Sequence, residues 1–468
     1  MATIISTGCP GPSYQEIVRS DRVRGPDGNV PRILAPVRAA DLTTEDIPFD
    51  RYTSEAFFAQ EMQHVWPRVW QFACREDMLP EAGDFFVYDI GRYSIVVVRT
   101  DAGLKAYHNS CLHRGTKLKP SGACGFTGDI IQCPFHGWTW NLDGTLREVP
   151  CAWEFEHLDY QANRLPEARV EVWNSLVFIN MDLEAMPLVD YLEVLPGHFS
   201  NWWGFDEWYT SVHVQKELSC NWKTAQEAFM EAYHTPVVHP EMTQVVGDWN
   251  MQHDIFGDHT SRDLCPMAVS SPSMEHGLTQ QELLDQRLAG GPQAKDRVVL
   301  QEGQTARSVI AARTRENAAA RFGKDFSDLS DAELIDSLKY NVFPNLFVYG
   351  GPGLPQIQQV RPLGNDPHRC VLDMIMLQPV PPDGKGEKRP QPAATVRITE
   401  ADSYADVPGI DAFTGMVLDQ DTQILRWQHE GMLASRKGAE TLSSNQESRI
   451  RHFHTTLDKY LKRAAPSN

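Results

Sequence analysis

The sequence predicts an α+β protein of 468 residues, with an N-terminal all-β domain and a larger C-terminal domain in which helices pack against an antiparallel sheet. Short segments rich in β-branched and aromatic residues recur along the chain and are bounded by turn residues, which is typical of strands. Segments with apolar residues at helical spacing lie near the start of the chain and towards its end, which indicates amphipathic helices.

The predicted elements follow in chain order. Residues 1–50 form an arm rich in proline and charge, and TSEAFFAQEMQHVW at 53–66 is an amphipathic helix. Short strands such as FFVYDI, YSIVVVR and IIQC make up a first domain over residues 51–165. The second domain spans residues 166–468. Its strands are predicted at 168–182, 211–218, 341–350, 356–362 and 370–380.

Composition excludes several classes of protein. Hydrophobic residues make up 41% and charged residues 22% of the chain, as in an ordinary soluble globular protein. The net charge of −19 disfavours binding to nucleic acid or to an anionic membrane. No apolar run reaches the roughly 18 residues that span a bilayer, and the N-terminus lacks the pattern of a secretion signal. The nine cysteines are scattered and do not suggest a compact disulfide framework, which indicates a reducing compartment. Together these observations predict a cytoplasmic location.

A first group of metal-binding residue types lies in two loops between predicted strands. Cys111 and His113 form a C-x-H pair, and Cys133 and His136 form a C-x-x-H pair further along the chain. Two thiolates and two imidazoles suit a structural zinc ion. They also suit a Rieske 2Fe–2S cluster, in which Cys111 and Cys133 would hold one iron and the two histidines the other.

A second group lies in the stretch NWKTAQEAFMEAYHTPVVHPEM. On a helix, Glu227, Glu231 and His234 would share one face, whereas His239 would point away unless the chain breaks near Pro236. Two imidazoles that converge beside a carboxylate are typical of a metal site. The plainer interpretation is a solvated face of glutamates and a histidine that packs against its neighbours.

Together, the motifs CLHRG, CPFHGWTW and NWK…E…EAYH…H make the sequence resemble the Rieske non-haem iron ring-hydroxylating oxygenases, at the level of their large (alpha) subunit. The resemblance covers nearly the whole chain. It implies a Rieske 2Fe–2S domain followed by a catalytic domain with a helix-grip sheet. A zinc site in the first group would leave the second group unexplained.

The resemblance implies a mononuclear Fe(II) held by His234, His239 and one acidic residue far downstream. Asp421 matches that ligand best, with Asp419 as the second choice and Asp411 as a third. All three aspartates could instead be charges that favour the start of a helix.

Two further residues take roles from the resemblance. Glu231, three residues before the first iron-binding histidine, would bridge a histidine of the Rieske cluster and a histidine of the iron site. It stands where aromatic-ring dioxygenases usually have aspartate, and members that act on trimethylammonium compounds resemble this chain in having glutamate. Asn221 matches an asparagine near the iron, or else it is a helix N-cap.

The implied function is that of a terminal oxygenase, which activates O₂ to hydroxylate an aromatic or other organic substrate. Electrons would come from NAD(P)H through a separate reductase, with or without a ferredoxin, and the chain would form a homotrimer with or without a small beta subunit. Alternatives are a monooxygenase that performs oxidative N- or O-demethylation or quaternary-ammonium oxidation, and a non-catalytic Rieske electron carrier. A set of apolar residues could line the substrate pocket or simply belong to the core: Phe229, Met230, Phe343, Leu346 and Phe347.

Overall fold

The structure is a computed structural model that describes residues 9–37, 42–200, 202, 207–288, 297–353, 355–381 and 389–462. Among these residues, no helix combines the length and the apolar character needed to cross a membrane.

The N-terminal arm packs against the rest of the chain. Its elements are α1 Tyr14–Ser20, β1 Ile47–Pro48, α2 Asp50–Thr53 and α3 Glu55–His64. The hydroxyl of Tyr14 in α1 donates a hydrogen bond to Asp336, more than 300 positions along the chain, at 3.2 Å. Helix α3 matches the predicted amphipathic helix, and the Ser54 side chain caps its N-terminus by accepting a hydrogen bond from the amide of Phe57 at 3.3 Å.

Short strands dominate the region that follows. They are β2 Gln71–Arg75, β3 Asp84–Ile90, β4 Tyr93–Thr100, β5 Gly103–His108, β6 Cys124–Phe126, β7 Ile130–Gln132, β8 Thr139–Asn141, β9 Leu146–Glu148, β10 Glu167–Trp173 and β11 Leu176–Asn180. Seven of them form one sheet in the order β2-β11-β10-β5-β4-β3-β6, and a second sheet has the order β7-β8-β9. All of these pairings are antiparallel.

The hairpin β10–β11 corrects one sequence-based prediction. Residues 168–182 were expected in the sheet of the second domain, but β10 pairs with β5 and β11 pairs with β2. The hairpin turns at Asn174 and Ser175, both with positive φ, a conformation that suits a two-residue turn. The division of the chain at residues 50 and 165 stays a prediction.

The C-terminal sheet has eight strands. They are β12 Trp208–Leu218, β13 Gln252–Ile255, β14 Thr260–Cys265, β15 Ser337–Val342, β16 Leu346–Gly350, β17 Gln356–Pro362, β18 Cys370–Pro379 and β19 Thr395–Ile398. Their order is β13-β14-β15-β16-β17-β18-β12-β19, and β12 pairs with β19 in parallel. The other neighbours are antiparallel. The predicted α+β fold class, with a Rieske-like β domain followed by helices on an antiparallel sheet, is confirmed.

Helices cover this sheet. They are α4 Leu188–Tyr191, α5 Leu195–Phe199, α6 Trp222–Ala228, α7 Thr235–Val238, α8 Gln280–Arg287, α9 Ala306–Phe322, α10 Asp331–Ile335, α11 Ala412–Ala434 and α12 Ser448–Lys462, with β20 Ala439–Glu440 between the last two. Helix α6 contacts β17, β18 and α11, and β20 pairs with β1 of the arm. The buried edge-to-face pair Trp66–Trp222, with ring centroids 5.0 Å apart, fixes α6 against the N-terminal part.

Candidate active site

Two tight loops carry the first group of candidate ligands. Cys111 follows β5 and Cys133 follows β7, and a backbone hydrogen bond closes each loop, from Gly115 to Cys111 at 2.9 Å and from Gly137 to Cys133 at 3.2 Å. Both glycines have positive φ, 77° and 74°, which a residue with a Cβ rarely adopts. The glycines of CLHRG and CPFHG therefore shape the loops that present the cysteine and histidine side chains.

The side chains of these loops converge. The rings of His113 and His136 lie 4.7 Å apart between centroids, and Trp138 stacks on His113 at 5.0 Å. Cys111 and Cys133 are buried together, and burial followed by the neighbouring Cys133 thiol raises the pKa of Cys111. Nδ1 of His113 is buried without a hydrogen-bond partner in the described part of the chain. The positive charge of the iron in a bound iron–sulfur cluster would stabilise Cys111 and Cys133 as two adjacent thiolates. The same cluster would give Nδ1 of His113 a ligand bond.

The backbone of the second group differs from the predicted helix. Helix α6 ends at Ala228, so Glu231 and His234 lie in the loop that follows it, and the expectation of one helical face for Glu227, Glu231 and His234 is wrong. Pro236 does not break a helix but stands in the first turn of α7, where proline is well tolerated because its missing N–H has no partner there. His234 and His239 flank this short helix, which brings the two rings to 5.3 Å.

Asp421, on the buried side of α11, completes the group. Its Oδ1 lies 2.8 Å from Nε2 of His239 and 3.4 Å from Nε2 of His234. One ligand atom from each residue falls within 4.8 Å of the other two. Two imidazole nitrogens and one carboxylate oxygen that converge on one point fit a facial triad for Fe(II).

The opposite ring nitrogens are held by neighbours. Nδ1 of His234 donates to Oε1 of Glu231 at 2.5 Å, and Nδ1 of His239 donates to Oε1 of Gln420 at 2.7 Å. Because Nδ1 of each ring is used in these hydrogen bonds, Nε2 of each ring is the nitrogen that faces the point where the three ligand atoms converge. Burial would lower the pKa of His234, but hydrogen bonds to Asp421 and Glu231 outweigh it and raise that pKa to about 10. The site is therefore electronegative and attracts a cation.

The alternative acidic residues point elsewhere. Asp419 accepts hydrogen bonds from Lys216 at 3.0 Å and from the hydroxyl of Ser403 at 2.5 Å. Asp411 is the N-cap of α11 and accepts from the amides of Phe413 and Thr414. Of the three candidates, only Asp421 lies among the histidines.

Asn221 is the N-cap of α6, the second of its two interpretations, whereas its place near the iron stays a prediction. Its Oδ1 accepts from the amide of Lys223 at 3.0 Å and its Nδ2 donates to the carbonyl of Pro367 at 2.7 Å. Both polar atoms of the amide are thus used at the start of α6, whereas the histidines follow its end.

The five candidate pocket residues Phe229, Met230, Phe343, Leu346 and Phe347 are all buried members of the main hydrophobic core. The sequence did not reveal a polar face of the C-terminal sheet beneath α6 and α12. Gln226 in α6 donates to Asn341 at 2.6 Å, and Arg449 in α12 is bonded to Asp263, whose carboxylate lies 3.4 Å from Lys339. The segment TSRDLC of β14 begins with four polar residues, and such a pattern does not reveal that all six residues of the strand are buried.

A cavity of about 270 Å³ adjoins the metal-binding group. Its walls come from the end of α6 and the loop after it, from α7 and α11, and from β20, α12 and the segment between these two. They consist of Glu227, Ala228, Glu231, His234, Val238, Asp421, Ile424, Leu425, Gln428, Glu440, Leu442, Glu447 and Ile450. Four carboxylates besides Asp421 thus border the space beside the candidate iron site.

Comparison with known families agrees with this arrangement. The family "Rieske [2Fe-2S] domain" matches residues 69–162, and the family "Ring hydroxylating alpha subunit (catalytic domain)" matches residues 202–463. The second match covers more than half of the chain, so the protein belongs to the family of ring-hydroxylating oxygenase alpha subunits. The resemblance predicted from the sequence is confirmed.

Individual relatives have several named activities. The chain is 31% identical over 218 residues to the carnitine monooxygenase oxygenase subunit of Escherichia coli K12, covering 44% of this chain and 56% of that protein. It is 29% identical over 207 residues to the protein of the same name from Acinetobacter baumannii, covering 43% and 55%. With biphenyl 2,3-dioxygenase subunit alpha of Rhodococcus jostii the identity is 32% over 193 residues, covering 39% and 41%. The chain spans about half the length of the curated relatives it matches.

Solved structures share the fold. The quaternary ammonium Rieske monooxygenase CntA in complex with L-carnitine is 19% identical with a TM-score of 0.61, and the match covers 89% of this chain and 95% of that chain. Naphthalene 1,2-dioxygenase with bound indole is 17% identical with a TM-score of 0.62, covering 88% and 91%.

The two family domains imply a Rieske 2Fe–2S cluster and a mononuclear iron. The residues present fit both groups. The orphaned His113 nitrogen beside two buried thiols suits the cluster, and three converging ligand atoms suit the iron.

Proposed function

We propose that this chain is the terminal oxygenase component of a Rieske oxygenase system. The supporting observation is that one chain holds two separate groups of ligand residues, one suited to each metal centre. Cys111, His113, Cys133 and His136 would hold the cluster, and His234, His239 and Asp421 the iron. When bound, the cluster supplies electrons and the iron supplies the site at which O₂ is reduced and inserted.

The protein's own residues prepare the iron site. Glu231 and Gln420 hold the histidine rings in the tautomer that leaves Nε2 free for metal. Asp421 is mostly buried on α11, so this helix limits the access of water from its side of the site. In this proposal Glu231 also accepts a hydrogen bond from a cluster histidine of another subunit.

That role for Glu231 requires an oligomer, and we propose a head-to-tail homotrimer. Each candidate metal site has exposed apolar side chains beside it. Phe135, 58% exposed, adjoins His136, and Tyr233, 55% exposed, adjoins His234. Trp427, 67% exposed, lies on α11 beyond Asp421. Packing the first surface against the second would bury these side chains and bring the cluster of one subunit to the iron of the next. A mass of three chains in light scattering is expected, and a stable monomer would contradict it.

A polar organic substrate is the second element of the proposal. The cavity beside the iron site is bordered by Glu227, Glu231, Glu440 and Glu447, and such acidic walls favour a polar or cationic compound over a hydrocarbon. Glu231 in place of aspartate and the carnitine monooxygenases among the relatives both favour oxidation of a quaternary ammonium compound over dihydroxylation of an arene. Aromatic-ring hydroxylation remains the alternative, because the biphenyl and benzene dioxygenase subunits are also relatives.

Metal content and oxygen uptake test the proposal. We expect about three irons per chain, two in the cluster and one mononuclear, and substrate-dependent O₂ consumption with NAD(P)H and a separate reductase, with or without a ferredoxin. Trimethylammonium compounds and apolar arenes tested side by side distinguish the two substrate classes. A purified protein with the cluster, no third iron and no O₂ consumption would instead be an electron carrier. In the described part of the chain, which includes all nine cysteines, none is in a disulfide, and this fits the cytoplasm that we propose as the location.

A further inference from the structure

A buried cluster of four ionisable side chains stands beside the proposed iron site, and its members come from four different elements. The hydroxyl of Tyr52 in α2 lies 2.9 and 3.0 Å from the two carboxylate oxygens of Glu227 in α6. It lies 2.5 Å from Glu440 in β20 and 2.9 Å from Nε2 of His454 in α12. Nε2 of His454 is also 2.9 Å from Oε1 of Glu227. We call these four residues the Tyr52 cluster.

The geometry requires that the Tyr52 cluster hold extra protons. The hydroxyl of Tyr52 has one proton to donate, yet it contacts two carboxyl groups and an imidazole nitrogen. If both carboxyl groups were ionised, one of them would face the hydroxyl's lone pairs at hydrogen-bond distance without a proton between them. At least one carboxyl group is therefore neutral and donates.

The surroundings agree with neutral carboxyl groups. Burial raises the pKa of Glu227 to about 8 and that of Glu440 to about 8, the latter also because Glu227 lies close. Burial lowers the pKa of His454 well below its usual range. The Tyr52 cluster thus contains carboxylic acids that can release a proton near neutral pH.

The nearby cations do not neutralise the cluster because each has a carboxylate of its own. Lys223 in α6 is paired with Glu61 of α3 at 2.8 Å in a fully buried contact. Arg51 in α2 is paired with Asp458 of α12 at 2.7 Å.

Two further charged side chains act on the cluster. Glu447, just before α12, raises the pKa of both Glu227 and Glu440, whereas Arg451 in α12 lowers that of Glu440. The carboxylate of Glu447 accepts a hydrogen bond from the amide of Ser443 at 2.6 Å, apart from the Tyr52 cluster.

The cavity beside the iron site connects the two groups. Glu227 and Glu440 form part of its wall, and so do His234 and Asp421. Its volume of about 270 Å³ accommodates several water molecules, each of which needs roughly 30 Å³. Polar atoms line both ends, so hydrogen-bonded water can span the space between the Tyr52 cluster and the metal ligands.

We propose that the Tyr52 cluster is a proton store that supplies protons through this cavity to the iron site. The inference rests on the proposed oxygenase function, which consumes protons whatever the substrate. Hydroxylation follows R–H + O₂ + 2 e⁻ + 2 H⁺ → R–OH + H₂O. The O–O bond breaks, one oxygen enters the C–H bond, and the other takes two protons and leaves as water, while the reductase supplies both electrons. Glu227 and Glu440 are the residues of the cluster that face the cavity, and Tyr52 and His454 connect them to each other.

Infrared spectroscopy tests the store without any turnover. The C=O stretching band of a neutral carboxylic acid is distinct from the bands of a carboxylate. We expect the wild-type holoenzyme to show this band at pH 7 and to lose it with a midpoint near pH 8. Glu227→Gln should remove the part of the band that this residue contributes, whereas Glu430→Gln, in the exposed pair with Arg426, should leave the band unchanged. A wild-type spectrum without a titrating acid band overturns the store.

Turnover in H₂O and D₂O tests the delivery. Because proton transfer would become slow, we expect Glu227→Gln and Tyr52→Phe to form product about tenfold more slowly, with a larger solvent isotope effect and normal iron content. Glu430→Gln should match the wild type in rate and isotope effect. If Glu227→Gln reduces the infrared band but leaves rate and isotope effect unchanged, the delivery is overturned. Wild-type protein that shows the band but consumes no O₂ with any substrate would instead contradict the proposed oxygenase function.

Discussion

Glu231 and His234 are joined at two points. Oε1 of Glu231 accepts from the His234 ring at 2.5 Å, and Oε2 accepts from the His234 backbone amide at 3.2 Å. Oε2 also accepts from the amide of Tyr233. The carboxylate therefore fixes the ring of a proposed iron ligand and the loop that carries it, and both depend on an acceptor with two equivalent oxygens.

Glu231→Gln should separate electron delivery from metal binding. The amide keeps nearly the same volume, but only one of its polar atoms accepts hydrogen bonds, so either the ring or the backbone contact is lost. We expect both metals to remain, the cluster to be reduced normally by its reductase, and single-turnover product from pre-reduced enzyme to fall roughly 10- to 100-fold. Iron analysis, visible absorption and product quantification measure these three quantities. Glu430→Gln, in an exposed pair with Arg426, is the control, and an unchanged single-turnover yield in Glu231→Gln would remove the bridging role.

Asp421→Ala and Asp419→Ala form a matched pair on the same helix. Asp421 lies 2.8 Å from His239, whereas Asp419 is bonded to Lys216 and Ser403. We expect Asp421→Ala to lose activity and about one iron per chain while its Rieske absorption is retained. Asp419→Ala should keep its iron. If metal analysis instead showed that Asp419→Ala loses the iron and Asp421→Ala keeps it, Asp419 would be the third ligand.

Cys111→Ser and His136→Ala should abolish the Rieske absorption and all NAD(P)H-driven turnover, because each removes one of the four proposed cluster ligands. The mononuclear iron should remain, since its ligands lie in the other domain. Cys124→Ser is the control, because Cys124 is exposed on β6. Retention of the visible spectrum in either ligand variant would show that the cluster has been assigned to the wrong residues.

The sequence predicted what depends on residue type and short spacing. C-x-H and C-x-x-H pairs bring their side chains to one side of a tight loop, so the convergence of His113 and His136 follows from the motif. The preference for Asp421 over Asp419 came from the resemblance, and the geometry favours the same residue. Periodicity alone could not distinguish Asp421 from Asp419, because the face of α11 that is buried depends on the elements that pack against the helix.

Features that depend on distant contacts could not be read from the chain. The end of α6 at Ala228 is not marked by proline or glycine, and Arg449 contributes by donating to the Met230 carbonyl just beyond it. The hairpin at 167–180 has an ordinary strand pattern, and its sheet is determined by pairing with β5 and β2. The Tyr52 cluster is formed by four residues that lie far apart in the sequence, so no local pattern predicts that they are in contact.

The pH dependence of stability gives the last prediction, which concerns Glu227. Its pKa is about 8 in the folded protein, against 4.5 for an ordinary glutamate. The folded state therefore holds a proton that the unfolded state has released between these two values. The stabilisation is fully present below about pH 4.5 and is lost as the pH rises through about 8.

For the wild type we accordingly expect the free energy of unfolding to fall by a few kcal/mol between pH 5 and 8.5 from this cluster. Glu227→Gln has no proton to lose, so its melting temperature should fall less over the same range and should exceed the wild-type value most at the alkaline end. Glu430→Gln, in the exposed pair with Arg426, serves as the control and should follow the wild-type curve. Calorimetry at matched iron content measures all three curves. Parallel curves for Glu227→Gln and the wild type would mean that Glu227 is ionised throughout, and the Tyr52 cluster would then hold no releasable proton on that residue.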